Sequence, residues 1–255
     1  MSRRSLPRFF HADGQLTVVS RSEHLELADY RRRVFSLYDA LRHDGSNEAL
    51  RLERFRSARD QLFREHPQSA IPLSQRERFA GLVYFPHDPA LRFAVELEPD
   101  PAPAPLELPR SGSGSMQFQR IGWVRFAVRE QACRLAVYWV VGYAGGIFIP
   151  FRDATSGREA YGGGRYVWDS IKGADLGSDG RRLVLDFNYA YHPSCVYDGR
   201  WSCPLAPSEN WLSAAISAGE RLPDAGTASG RRVKHRMNHR LYRPPKGDAG
   251  ERGDS

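Results

Sequence analysis

The hydrophobic period of the chain changes at Gly81, and any fold must satisfy both halves. Before it, Leu27, Tyr30, Val34, Leu37, Tyr38 and Leu41 recur every three or four residues between Glu23 and Arg42. After His43-Asp-Gly-Ser-Asn, the stretch Glu48 to Glu65 repeats that rhythm through Leu52, Phe55, Ala58, Leu62 and Phe63. Ser46 or Asn47 caps the second stretch and Pro67 stops it, so the first quarter reads as an antiparallel helical pair with one face to bury. After Gly81 the apolar residues alternate and are rich in Val, Ile, Tyr, Phe and Trp. Strands are expected at Leu82 to Phe85, Arg92 to Leu97, Gln117 to Val128, Arg134 to Val141, Ile147 to Phe151, Arg165 to Asp169 and Arg182 to Tyr189. Short Gly- or Pro-bearing turns separate the later ones, leaving no room for crossover helices. The expected fold is therefore mainly β (α+β), an antiparallel barrel or sandwich-like sheet preceded by two N-terminal helices.

With 255 residues and 41% of them apolar, the chain can bury a sizeable core, which excludes a disulfide miniprotein or a wholly disordered chain. Residues 1–22 read as an extension and 23–224 as one domain, with the helical pair at 23–66 and a β-rich part at 79–224. Pro99 to Ser115, proline-rich and then Gly/Ser-rich, reads as a flexible loop within it. Residues 225–255 read as a disordered basic tail, in which Val233 to Tyr242 could form a short helix on contact with a partner. That tail carries most of the formal charge of +7, so the body is nearly neutral and a nucleic-acid partner is not expected of it. The uncharged run Leu135 to Phe151 is short for a bilayer span and is broken at Gly142-Tyr-Ala-Gly-Gly, which reads as two strands and a turn rather than a membrane anchor. The basic start lacks the apolar run of an export signal, so a cytoplasmic location is expected, with Cys133, Cys195 and Cys203 as thiols.

Unusual residues concentrate in two blocks. In Pro150 to Tyr166, PFRDATSGREAYGGGRY, Asp153 and Thr155 suit a turn and Gly162 to Gly164 allow close backbone approach. With Arg152 and Arg165 beside it, this loop could hold a phosphate or carboxylate, or be a hairpin in which the arginines pair internally. It is neither a Walker loop nor a dinucleotide fingerprint. In Leu183 to Trp211, an extended chain places Asp186 and Asn188 on one face, roughly 6.5 to 7 Å apart, a spacing suited to one ligand or one catalytic water. The alternative is that Asp186 pairs with a buried arginine such as Arg152 or Arg165. Cys195 and Cys203, with His192 nearby, offer only fragments of zinc spacing and fit packing residues or a local thiol pair. In Ser208 to Glu220, Trp211, Leu212 and Ile216 fit a closing segment pinned against the sheet, and Glu209 and Glu220 would need proximity to act as acid and base.

These blocks, with LDFNYAYHPSCVYDGRWSCPLAPSENWL and the following Ala218-Gly-Glu220, resemble a prokaryotic family of unknown function, the one numbered sixteen eighty-four. The helix ending Arg56-Ser-Ala-Arg-Asp-Gln-Leu-Phe-Arg-Glu-His-Pro and the segment Phe79-Ala-Gly-Leu-Val-Tyr-Phe-Pro share the likeness, which would run from about Tyr30 to Glu220. Family members usually carry Asn-Pro at His192-Pro193 and Thr-Tyr at Ala160-Tyr161, which argues against a family-wide catalytic role for His192. The resemblance implies a shared domain without a reaction. It places Arg152, Asp153, Tyr161, Arg165, Asp186, Asn188, Cys195, Tyr197, Cys203, Glu209 and Glu220 in matching motifs.

The leading expectation is a protein that binds a small polar or anionic molecule in a β-lined cleft, with no cofactor. Arg152, Asp153, Tyr161 and Arg165 would hold the ligand, and Asp186 and Asn188 would orient it. One alternative is a hydrolase using Asp186 or Glu220 as base in the same cleft. Another is a nucleic-acid accessory protein acting through its tail.

Overall fold

The computed structural model describes residues 21–143 and 145–224, together with the backbone of β1 (Arg8–Phe10) and β2 (Leu16–Val18), which pair antiparallel. The tail from 225, including the segment Val233 to Tyr242, and most of the N-terminal extension lie outside the described residues.

Two helices follow, α1 (Arg21–His43) and α2 (Glu48–Glu65), as the periodicity requires. Asn47 is the cap of α2, its side-chain oxygen accepting from Leu50 N at 2.9 Å. A short helix, α3 (Leu73–Arg76), and β3 (Val83–Tyr84) lead into the sheet region. The strands are β4 (Arg92–Glu96), β5 (Glu98–Pro99), β6 (Pro105–Pro109), β7 (Ser115–Val128), β8 (Gln131–Val140), β9 (Gly146–Phe151), β10 (Arg165–Asp169), β11 (Arg182–Asp186) and β12 (Glu220–Arg221). The main sheet runs β10-β9-β8-β7-β5, with β6 also paired to β7, and every pairing is antiparallel. The pairs β4-β11 and β3-β12 stand apart, and the sheets do not close into a barrel.

Both faces of the main sheet are covered, which explains why β8 reads Leu-Ala-Val-Tyr without polar alternation. Leu135 and Val137 of β8, Ile149 and Phe151 of β9 and Trp168 of β10 face a core shared with Val95, Leu185, Phe187 and Ile216. Ala136, Tyr138, Phe148 and Tyr166 face the helical pair, meeting Val34, Tyr38, Leu52 and Phe55. Edge-on aromatic pairs run through the helix-side cluster, with Tyr38 to Phe55 at 5.2 Å and Phe55 to Tyr189 at 5.1 Å. Among the described residues no helix is long and apolar enough to cross a membrane.

Two local expectations are corrected. Pro99 to Ser115 contains strand β6, because Leu106 and Leu108 alternate onto the core, where Leu108 is buried. Pro105 and Pro109 are tolerated on a strand that pairs on one side only. The strand expected at Arg182 to Tyr189 ends at Asp186, whose carboxylate accepts from Asn188 N at 3.0 Å and turns the chain into a 3-10 turn.

The segment after Pro204 has little regular structure yet is pinned along its length. Asn210 acts as a side-chain substitute for a strand, accepting from Ala136 N at 2.7 Å and donating to the carbonyls of Ala136 at 3.0 Å and Pro150 at 2.7 Å. Gly219 takes φ +74°, and a Cβ there would lie 2.5 Å from the Ala190 carbonyl oxygen and 2.6 Å from that of Phe187. Gly219→Ala is expected to cost about 2 to 4 kcal/mol in urea unfolding, since strain and a backbone clash add. A change within about 0.5 kcal/mol would contradict this tight approach.

Candidate functional site

Of the candidate ligand residues, Arg165 and Asp153 meet in a buried polar frame, whereas Asp186 and Asn188 belong to a separate cluster with Arg92 and Asp88. Arg165 is completely enclosed. Its Nη1 donates to the carbonyls of Ala218 and, at 3.0 Å, Glu220, while Nη2 donates to Ile216 O at 2.7 Å and meets Asp153 Oδ1 at 3.3 Å. Asp153 accepts from Ile216 N at 2.8 Å and from Thr155 Oγ1, so loop and terminal segment share one carboxylate. Arg152 stacks over Trp211 at 4.4 Å. Tyr161 donates its backbone N–H to His192 Nε2 at 3.2 Å.

Asp186 and Asn188 are not spaced along a strand. The turn brings them into direct contact, Asn188 Nδ2 donating to Asp186 Oδ1 at 2.9 Å, and Asn188 also bridges to Asp88 N and O at 2.9 and 2.8 Å. The expected pairing of Asp186 with an arginine exists, although the partner is Arg92 at 2.9 Å rather than Arg152 or Arg165. Glu220 is buried with all of its lone-pair directions in use. Oε1 accepts from Arg59 Nη2 at 2.6 Å and Nε at 2.7 Å, and Oε2 from His192 N at 2.8 Å and Tyr197 Oη at 2.9 Å. Glu209 accepts from Tyr138 Oη and from Arg120 at 3.0 Å.

Sequence reasoning passed over Arg59 and Lys172. Arg59 lies on the apolar stripe of α2 between Phe55 and Phe63, where a charge must find a buried partner. Lys172 is the only lysine before the tail. It pairs with Asp169 at 3.0 Å and faces a cavity of about 330 Å3 between the helical pair and the main sheet. Leu27, Val34, Met116, Phe118, Val140 and Phe148 give that cavity an apolar body. Its polar rim includes Lys172, Asp169, Ser202, Cys203 and the buried Arg59. Trp201 Nε1 and Ser202 Oγ are buried there without a hydrogen-bond partner among the described residues. Of the residues singled out as ligand holders none lines this cavity, while Cys203 and His192 do. No group of three metal-ligating side chains occurs among the described residues.

The electrostatics follow from burial. Burial works against the Lys172 ammonium, but Asp169 and Cys203 opposite it outweigh that and raise its pKa. Burial raises the Tyr161 phenol, and the neighbouring Cys195 acts in the same sense. His192 is pushed well below its usual pKa by burial, with the cations Arg165 and Arg59 adding to the effect.

The family described as "Protein of unknown function (DUF1684)" matches residues 77–221 of this sequence. The chain belongs to that family. The DUF1684 span holds the polar frame and one cavity wall, whereas α1 and α2, which form the other wall, precede it. A solution NMR structure of an uncharacterized protein of Haloarcula marismortui is similar, at 34% identity and a TM-score of 0.50, covering 68% of this chain and 93% of that one. No curated protein matches the chain.

Removing one partner of the buried Arg59–Glu220 pair is expected to cost about 3 to 5 kcal/mol. Arg59→Met with Glu220→Gln should recover part of that loss in a double-mutant cycle of urea unfolding, and simple additivity would contradict direct coupling. His192 gives a pH signature. Its folded pKa is depressed while the unfolded chain binds a proton near 6.5, so acidification below that value favours unfolding by up to about 1.4 kcal/mol per pH unit. Arg165, Arg59 and, 3.7 Å away, Glu220 face it. His192→Asn should flatten this slope between pH 6.5 and 5, and an unchanged slope would overturn the assignment.

Proposed function

We propose that this DUF1684 protein binds a small molecule with an apolar body and one anionic group in the cavity between the helical pair and the sheet. The observation that carries the reading is the shape and chemistry of that cavity. Its volume of about 330 Å3 lies in the range of small-molecule sites, and its mainly hydrophobic walls include a few polar groups, among them Lys172, Asp169 and Ser202. Lys172 supplies a positive charge, and the unpartnered Trp201 Nε1–H and Ser202 hydroxyl supply further donors for a carboxylate or phosphate.

On this reading Arg152, Asp153, Tyr161, Arg165, Asp186 and Asn188 build the frame that holds the cavity walls. The hydrolase alternative is less well supported, because Asp186 and Glu220 are each engaged by arginine and by further donors, which leaves neither carboxylate poised over the cavity as a base.

The test is a thermal-shift titration of the full chain with decanoate, indole-3-acetate and inorganic phosphate. Either organic carboxylate should raise Tm by mass action, while phosphate, lacking an apolar body, should not. The shift should vanish in Met116→Trp, which fills the cavity, and weaken at least several-fold in apparent affinity in Lys172→Met. No shift with either carboxylate, or shifts that survive Met116→Trp, would overturn the proposal.

A further inference from the structure

The uncharged run from Leu135 to Phe151 folds into β8 and β9, and exposed apolar side chains gather around the tip of that hairpin. Tyr143, in the turn, is completely exposed, and Trp139, Val141 and Ile171 are 42%, 47% and 41% exposed. The ladder closes at Val140 opposite Gly146, where Ile171 of the 3-10 turn Ser170–Lys172 packs so closely that a Cβ on Gly146 would lie 2.8 Å from its Cγ1. Ser170 fixes that turn to the hairpin, its Oγ accepting from Ile147 N at 2.8 Å. The Trp139 indole covers Gly145, where a Cβ would be 2.6 Å from the ring. Helix α1 borders the same turn, since the exposed Phe35 packs against Gly173. One helical turn before Phe35 stand Arg31 and Arg32, both exposed and without an ion pair among the described residues. On β7 the neighbours of Val141 and Trp139 are the neutral Gln117 and Gln119.

We propose that this tip docks the protein on an anionic phospholipid bilayer, with Tyr143, Trp139, Val141 and Ile171 entering the interface and Arg31 and Arg32 meeting lipid phosphates. Trp and Tyr pair an apolar ring with a polar end and suit the headgroup boundary, where they gather in membrane proteins. The charge is complementary, because an anionic surface attracts cations that have no carboxylate of their own. The acidic groups on this flank are engaged, Asp169 by Lys172 at 3.0 Å and Asp175 by Arg42 at 3.5 Å, so no free carboxylate faces the lipid. A stable protein interface takes about 20 to 30 residues a side with matched shape, whereas a bilayer accepts a projecting tip of four side chains without any match. The hairpin rests on the surface and does not cross it, since both of its strands belong to the main sheet.

The same face meets the cavity. Arg31, Val140, Ile171 and Lys172 line it, and Ile171 and Lys172 are also partly exposed, which puts an opening beside the tip. A molecule with an apolar body and an anionic group partitions into bilayers, so docking here sets that opening against a source of such a ligand. This last step rests on the ligand reading, whereas the docking face stands without it.

The experiment is flotation of the full chain with vesicles of phosphatidylcholine alone and of phosphatidylcholine mixed with phosphatidylglycerol. The chain is expected to float with the mixed vesicles and far less with the neutral ones. Tyr143→Asp should lower the partition coefficient about tenfold while leaving Tm unchanged, because it places a charge in the interface at a side chain that is completely exposed in the folded protein. Val141→Asp should act in the same direction, and Arg31→Glu with Arg32→Glu should weaken binding to the mixed vesicles alone. The basic residues after 225 are the internal control. Binding that survives Tyr143→Asp and is abolished by salt belongs to them and would overturn the inference, as would a chain that stays out of both kinds of vesicle. A chain that floats through the tip but shows no thermal shift with decanoate keeps the docking face and loses only the ligand reading.

Discussion

The ion pair between Arg59 and Glu220, 2.6 Å long and almost fully excluded from solvent, joins three parts of the molecule that share no backbone ladder. Arg59 comes from α2. Glu220 begins β12 at the end of the terminal segment, and its second oxygen receives His192 N and Tyr197 Oη from the loop between them. Two residues of opposite charge have been taken out of water, a cost recovered only when every remaining lone pair and N–H is met. Here the surrounding donors meet the Glu220 carboxylate, and Arg165 gathers the Ile216, Ala218 and Glu220 carbonyls through Nη1 and Nη2 while its Nε has no hydrogen-bond partner among the described residues. Such an arrangement contributes less through net stabilisation than through the heavy penalty for any alternative placement of the helices and the terminal segment.

The cavity depends on this constraint. Helices α1 and α2 could collapse onto the aromatic face of the sheet and close the space now bounded by Val34, Phe118 and Phe148. Arg59 fixes α2 from one side, and Tyr38 and Phe55 wedge it against Tyr189 from the other. The DUF1684 span supplies the sheet and most of the frame and rim, and the helical pair adds Arg59 and completes the enclosure. The carboxylates that looked most like chemistry are those the frame consumes, whereas the rim carries the groups with capacity left for a partner.

Much of the architecture was legible in the sequence because burial imposes periods that survive without context. The helix from Glu48 to Glu65 and the strand from Arg165 to Asp169 coincide with their expected bounds, since a cap and a proline mark the one and flanking Gly and Asp the other. The β6 strand was hidden because prolines mask a pattern carried only by Leu106 and Leu108. The site was less legible. Asp186 and Asn188 read as a row on a strand, and nothing local reveals that the Asp186 carboxylate would capture Asn188 N and end the strand there. Polar residues concentrated in one region marked a buried network correctly, but sequence proximity cannot separate a network that holds a fold from one that holds a ligand. Lys172, the one lysine before the tail, and the arginine on the apolar stripe of α2 were the overlooked signs.

In the function proposed above, the polar frame is structural and the ligand binds in the cavity beside it. Amide and methionine-methyl chemical shifts followed by NMR during titration with decanoate test it most directly. Perturbations centred on Met116, Lys172 and Cys203, with Gly162 to Arg165 and Asp186 to Asn188 unmoved, are the predicted result. Perturbations centred on the glycine loop and Arg152, with the cavity residues unmoved, would contradict it.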